Sequence, residues 1–208
     1  MGTASERRTA PDAGADTGPG AAEGPLPTAV VVMGVSGCGK STIARMLADR
    51  LGVPMAEGDS FHSAANVAKM TAGEPLDDAD REPWLRALRD WISERAAAGD
   101  SSVMACSALK RSYRDVLRGA TGCRVRFVYP AVDREVLVER LDSRGGHFMT
   151  SALLDSQLET LEPPSPDEDA VTVPAGRECP ERLVEAVLAA LDLPAPGPAG
   201  SAGAADPV

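Results

Sequence analysis

The chain has 208 residues and a net charge of −10, a length that suits one domain rather than two. With no basic excess to neutralise a phosphate backbone, it is not built as a general nucleic-acid binder. No stretch approaches the roughly 18–20 apolar residues of a membrane span, and no hydrophobic region follows Arg7-Arg8 as an export signal would need.

In chain order, residues 1–28 contain 15 Gly, Ala or Pro and no apolar periodicity, so they read as a flexible tail. Ala29–Met33 reads as a buried strand, and Ser41–Leu51 as a helix with Ile43, Leu47 and Leu51 on one face. A short strand is expected at Val53–Ala56 and a helix from about His62 to Thr71. Asp80 is the expected N-cap of a helix running to Ala98, with Pro83 near its start. Val103–Cys106 follows as a strand, then a helix from Lys110 to Arg118, then a strand Val125–Tyr129 stopped by Pro130. Helices over Asp133–Ser143 and Thr150–Leu161 precede a polar loop at 162–169, a strand Val171–Val173 and a last helix Pro180–Leu191. Residues 194–208, 12 of them Gly, Ala or Pro, read as a second tail, leaving 29–193 as one compact domain. The β-α alternation predicts an α/β fold, a parallel sheet of about five strands with helices on both faces. Ligands bind at the carboxyl ends of such strands, where Gly34, Gly58, Ser107 and Pro130 are expected. The two tryptophans read as core.

Positive charge is carried by 18 Arg and only three Lys, which are Lys40, Lys69 and Lys110; the two histidines are His62 and His147. All five fall inside motifs. The four cysteines form no C-x-x-C pair and have no metal-type spacing with histidine, so reduced thiols in a cytoplasmic protein are expected.

The first motif, Gly34-Val35-Ser36-Gly37-Cys38-Gly39-Lys40-Ser41, matches the P-loop G-x-x-x-x-G-K-[ST], with a strand before it and an amphipathic helix after it. Its glycines let backbone N–H groups turn onto a phosphate, and the helix beginning near Thr42 adds its dipole and free N–H groups. Lys40 is expected on the β- and γ-phosphates of ATP and Ser41 on Mg²⁺. No N-K-x-D motif reads guanine, and no strand ends in the magnesium-binding Asp of a motor ATPase, so a small-molecule kinase fits best. Cys38, a thiol near a helix N-terminus, is expected either to react readily or to be an inert filler in a serine's place.

Past the second strand, Asp59 is placed to accept or orient the proton of an attacking hydroxyl. His62, Ser107 and Tyr113 are candidates to read hydroxyls; Arg81, Lys110, Arg114 and Lys69 are candidates to hold an anionic end, arginine with two prongs. Arg140 and Arg144 precede Gly145-Gly146 in a stretch that reads as a mobile lid, with Arg140 expected on the nucleotide, Arg144 expected to close on the transferring phosphoryl group, and His147 to shape the lid or touch ligand.

In order, GVSGCGKS, EGDSFHSAANVAKM, GEPLDDADREPWL, CSALKRSYRD, GGHF and SQL resemble the motifs of the P-loop gluconokinases from about Val30 to Pro163. The P-loop is widely shared, whereas the DREPWL and CSALKRSYRD stretches are far more specific. Three positions depart from the family: Ser63 where proline is common, Cys38 where the loop usually has serine, and Leu158 where phenylalanine is frequent. The resemblance implies a three-layer α/β/α fold like those of nucleoside monophosphate and shikimate kinases. It also implies ATP-dependent phosphorylation of D-gluconate to 6-phosphogluconate, Mg²⁺ as cofactor, and the homodimers in which members of the family often occur. Two alternatives stay open from the residues: a kinase for another small hydroxy acid such as shikimate, and an ATP-binding module without phosphoryl transfer.

Overall fold

Alternate side chains of β1 (Thr28–Val32) serve two different cores: Val30 and Val32 face one helical layer, Ala29 and Val31 the other. A strand covered on both faces requires this. The computed structural model describes residues 26–143 and 151–193. Residues 1–25 and the second tail therefore lie outside the described residues; residues 26–28 are described, and Thr28 already belongs to the sheet.

After β1 come α1 (Lys40–Leu51), β2 (Met55–Glu57), a 3₁₀ turn (Gly58–Phe61), α2 (Ala64–Thr71) and α3 (Asp78–Ala97). Then follow β3 (Ser102–Ala105), α4 (Arg111–Arg118), β4 (Arg124–Ala131), α5 (Arg134–Ser143) and α6 (Ser151–Thr160). A second 3₁₀ turn (Pro166–Glu168), β5 (Ala170–Pro174) and α7 (Pro180–Ala190) complete the order. The five strands lie β2-β3-β1-β4-β5 and every pairing is parallel. Ile43 and Leu47 of α1 with Val184 and Val187 of α7 fill one face. Trp84, Leu88 and Ile92 of α3 with Leu117 of α4 fill the other, so the fold has three layers. A smaller cluster of Val35, Cys38, Leu109, Leu137 and Leu154 joins α5 and α6 to the loop after β1. No helix among the described residues is long and apolar enough to cross a membrane.

Three expectations are corrected. Pro130 does not stop β4, which runs on to Ala131 beside β5. Val128 O accepts from Met33 N, and Ala131 O from Ala175 N, so these two residues use opposite edges of the strand. Pro130 shares the edge of Val128, where β1 has already ended, and its missing N–H breaks no ladder bond. The N-cap of α3 is Asp77, not Asp80: the Asp77 side chain accepts from Asp80 N at 2.8 Å and Asp80 Oδ2 accepts from Asp77 N at 3.2 Å, a reciprocal box. His62 lies before its helix rather than in it. Ser63 caps α2 by accepting from Asn66 N at 3.1 Å, so this serine makes the helix start.

Candidate active site

The site is built from the carboxyl ends of β1, β2 and β3. Gly34, Gly37 and Gly39 have φ of 125°, 83° and 97°, which L side chains rarely adopt. A Cβ at Gly34 would come within 3.0 Å of Cys38 Sγ, so the ring closes tightly on itself. Gly34 N donates to Ser107 O at 3.0 Å, tying the loop to the end of β3. Gly39 caps α1 without a side-chain hydrogen bond, and the first turn of α1 holds no acidic residue. Its N–H groups and positive dipole end thus fit a bound phosphate. Lys40 Nζ donates to Val35 O at 2.9 Å across the loop. Ser36 N donates to Gln157 Oε1 of α6 at 2.7 Å.

Ser41 Oγ donates to Glu57 Oε2 at 3.0 Å. A hydroxyl and a carboxylate side by side are hard oxygen donors of the kind Mg²⁺ takes one or two of, phosphate and water supplying the rest. No cluster of three His, Cys, Asp or Glu among the described residues offers an all-protein metal cage. The donor set therefore fits a cation brought with a nucleotide. Thr42 stands in the first turn of α1, and Val35 in the loop that precedes it.

A cavity of about 380 Å³ opens from the loop and brings together Ser36, Lys40, Asp59, His62, Arg81 and Ser107. Its other wall is largely apolar, with Val67 and Met70 of α2, Leu76, Trp84 and Leu153. Asp59 sits in the 3₁₀ turn that follows β2. Among the described residues its carboxylate makes no hydrogen bond or salt bridge, although it adds to the electrostatics of His62. The His62 ring stacks on Trp84, centroids 4.5 Å apart and planes 13° from parallel. Burial pushes the His62 pKa down, Asp59 opposing this and Arg81 adding to it, so the ring is neutral at pH 7. Its Nδ1 is shielded and has no hydrogen-bond partner among the described residues, an orphan that a hydroxyl could satisfy.

The expected acceptor cations separate sharply. Lys69 is held by both oxygens of Asp80 at 2.7 Å, which raises its pKa, and does not line the cavity. Lys110 is held by Asp78 at 2.8 and 2.9 Å, which raises its pKa and lowers that of Asp78. The Tyr113 hydroxyl donates to Asp78 and accepts from Arg81 Nη1 at 3.2 Å. Lys110 and Tyr113 stand behind Arg81 rather than in the cavity. Arg114 is corrected outright. It is fully buried, donates to Glu168 through Nε at 2.6 Å and Nη2 at 2.8 Å, and gives Nη1 to Ala108 O and Leu109 O. Fully buried and outside the cavity lining, it does not reach a substrate. Arg81 alone of the four lines the cavity, and it has no carboxylate within salt-bridge distance among the described residues.

Arg140 also differs from its expected place on the nucleotide. Its guanidinium donates to Gly37 O at 3.3 Å, Ala175 O at 3.0 Å and Gly176 O, bracing the loop against the end of β5. Arg144 and His147, with the rest of the expected lid, lie outside the described residues. Cys38 is 2% exposed with its thiol toward Met33 O, so it fills space rather than meeting reagents. Cys106, beneath the site, is pushed up to about 12 by burial. Glu57, Gln157 and Trp84 were not expected in the site. Glu57 and Gln157 stand inside the EGD and SQL stretches, while Trp84 is buried like any core residue and only its N–H direction reveals more.

Residues 30–164 match the family model described as AAA domain. A gluconokinase from Gluconobacter oxydans is 49% identical over 162 residues, covering 78% of this chain and 90% of that protein. Among solved structures, an unliganded sugar kinase from a Janibacter species is 50% identical, with a TM-score of 0.75 over 80% of this chain and 95% of that one. A gluconokinase from Sinorhizobium meliloti is 43% identical, with a TM-score of 0.73 over 80% and 93%.

Proposed function

This chain belongs to the gluconokinase family, and on that premise we propose that it transfers the γ-phosphoryl group of ATP to the 6-hydroxyl of D-gluconate, giving ADP and 6-phospho-D-gluconate. The observation that carries the choice of acceptor is Arg81. Among the described residues it is the one acceptor-side cation that faces the cavity without a carboxylate in salt-bridge distance, at a site whose other end is the phosphate loop and Asp59. A sugar acid presents a carboxylate to the first and a hydroxyl to the second.

The backbone N–H groups of Gly37 and of Gly39 to Thr42, with the Lys40 ammonium, hold the phosphates, Gly34 N and Ser36 N being used to tie the loop to Ser107 and Gln157. Ser41, with Glu57 beside it, would hold Mg²⁺, which when bound neutralises charge on the phosphate oxygens. Asp59 orients the attacking hydroxyl and takes its proton as the bond to phosphorus forms. Neutral His62 and Ser107 offer donors and acceptors to the hydroxyls between the ends. Tyr113, with Asp78 and Lys110 behind it, fixes the Arg81 fork. Val67, Met70 and Leu76 give the acceptor end an apolar wall, of which Val67 and Met70 are solvent-exposed. Arg144 and His147 are proposed to act from the lid, and a homodimer in the cytoplasm is proposed from the family.

Arg81→Gln tests the acceptor assignment. A hydrogen-bonded ion pair is worth about 1.5–3 kcal/mol, so KM for D-gluconate should rise by about 10–100-fold. KM for ATP should stay within about twofold, and activity on uncharged D-sorbitol should not fall. An equal loss on both acceptors would mean that Arg81 does not read the carboxylate.

A further inference from the structure

Asp59 is aimed by its backbone alone, because its carboxylate has no hydrogen bond or salt bridge among the described residues. Whatever fixes the 3₁₀ turn Gly58–Phe61 therefore fixes the direction of the carboxylate. Two contacts do so. From below, Gly58 lies so close to the end of β3 that a Cβ there would stand 2.8 Å from Ala105 O and 3.3 Å from the Cys106 side chain. From the side, Trp84 Nε1 donates to Gly58 O at 2.8 Å across a sequence separation of 26 residues. This bond is buried, Trp84 itself being 3% exposed. The face of Trp84 also carries the stacked His62, the residue just past the turn. The turn is thus held at its first residue by the indole N–H and at its exit by the indole face.

Trp84 belongs to α3, one turn after Arg81. The helix that presents the cation for one end of the acceptor therefore also carries the anchor of the carboxylate for the other end. Core packing alone would be met by any large apolar ring, yet the residue here spends its one polar atom on the carbonyl directly preceding Asp59. A buried peptide carbonyl left without that partner is costly and would be satisfied by a shift of the turn.

We infer that Trp84 is a positioning residue for phosphoryl transfer, acting on Asp59 through its hydrogen bond to Gly58 O. The inference rests on Asp59 having the role proposed above. Small displacements of a reacting group lower rate far more than binding.

The test is a double-mutant cycle of Trp84→Phe with Asp59→Ala, measured with Mg·ATP and D-gluconate. Trp84→Phe should lower kcat by about 10–100-fold and leave KM for ATP within about threefold. In the Asp59→Ala background the same change should cost less than about threefold, because there is no side-chain acceptor left to misplace. Should Trp84→Phe fail to fold, benzothienylalanine at position 84 in a Trp91→Phe chain removes the N–H and keeps the ring, and the same non-additivity is expected. Equal losses in both backgrounds, or no loss from Trp84→Phe, would overturn the inference. If Asp59→Ala itself leaves kcat unchanged, the role of Asp59 is what fails, and the positioning inference falls with it.

Discussion

Asp59→Asn is expected to lower kcat with D-gluconate by about 10²–10⁴-fold while KM for ATP stays within about threefold. The carboxylate lies in the cavity with Lys40 and Ser36 but makes no contact that holds the phosphate loop, whose bonds run to Ser107, Gln157 and Arg140. Nucleotide binding should therefore survive. Asparagine keeps the size and can still accept a hydrogen bond, so orientation is partly kept while proton acceptance is lost. A loss near the lower bound means orientation is the larger contribution, as expected of a loose transition state with late proton transfer. Steady-state rates at saturating ATP, with KM for each substrate, check this. A similar fall in kcat/KM for ATP through binding alone would contradict it.

Glu168→Gln is expected to destabilise the fold by about 3–5 kcal/mol, the usual result of leaving one member of a buried ion pair without its partner. Glu168 is 2% exposed and receives Arg114 through two nitrogens, Arg118 through one, and Ser165 N at 3.0 Å. Its removal strands a fully buried guanidinium. For a domain of this size that corresponds to a drop in Tm of about 6–20 °C. The loss should not stay local. Arg114 Nη1 holds the carbonyls of Ala108 and Leu109, and Ala108 sits at φ +38°, a conformation that needs external support. Ser107 and Leu109 line the cavity from this same segment. The Arg114 guanidinium, with the Ser165 backbone and Arg118 adding to it, holds the Glu168 carboxyl far below the usual carboxylate range. Its stabilisation is therefore complete above the unfolded-chain value near 4.5 and is lost as pH falls below that value toward the folded one. Thermal melts from pH 7 to pH 3 should show a shallower acid decline in Glu168→Gln than in the parent. Arg114→Met with Glu168→Leu, which removes both charges, should cost much less than either single change.

The phosphate cradle was legible because its chemistry is local: strand, three glycines, Lys40, Ser41 and helix are contiguous, and no distant residue is needed to recognise them. The sheet was legible for a related reason, since runs such as AVVVM can be buried only between two helical layers. The acceptor side was not, because a cation's role depends on where its counter-charge lies. Arg114 and its partner Glu168 are 54 residues apart, and nothing in CSALKRSYRD says that the later loop folds beneath it. Lys69 and Lys110 are taken by Asp80 and Asp78, two of three aspartates within four residues, any of which could equally have capped α3. That crowding also explains why Asp80 was taken for the cap that Asp77 provides. Arg81 stands among the same aspartates and escapes them because Tyr113 holds its fork. Trp84 shows a further limit: burial is written in helical periodicity, but the partner of one buried N–H is not.

The most direct measurement is ADP release from Mg·ATP with D-gluconate, with shikimate, and with no acceptor. Release should depend on D-gluconate and match 6-phosphogluconate formed, with neither shikimate nor water accepting appreciably. Release with shikimate alone would contradict the assignment of Arg81 and its cavity to gluconate. No acceptor-dependent release would contradict phosphoryl transfer itself.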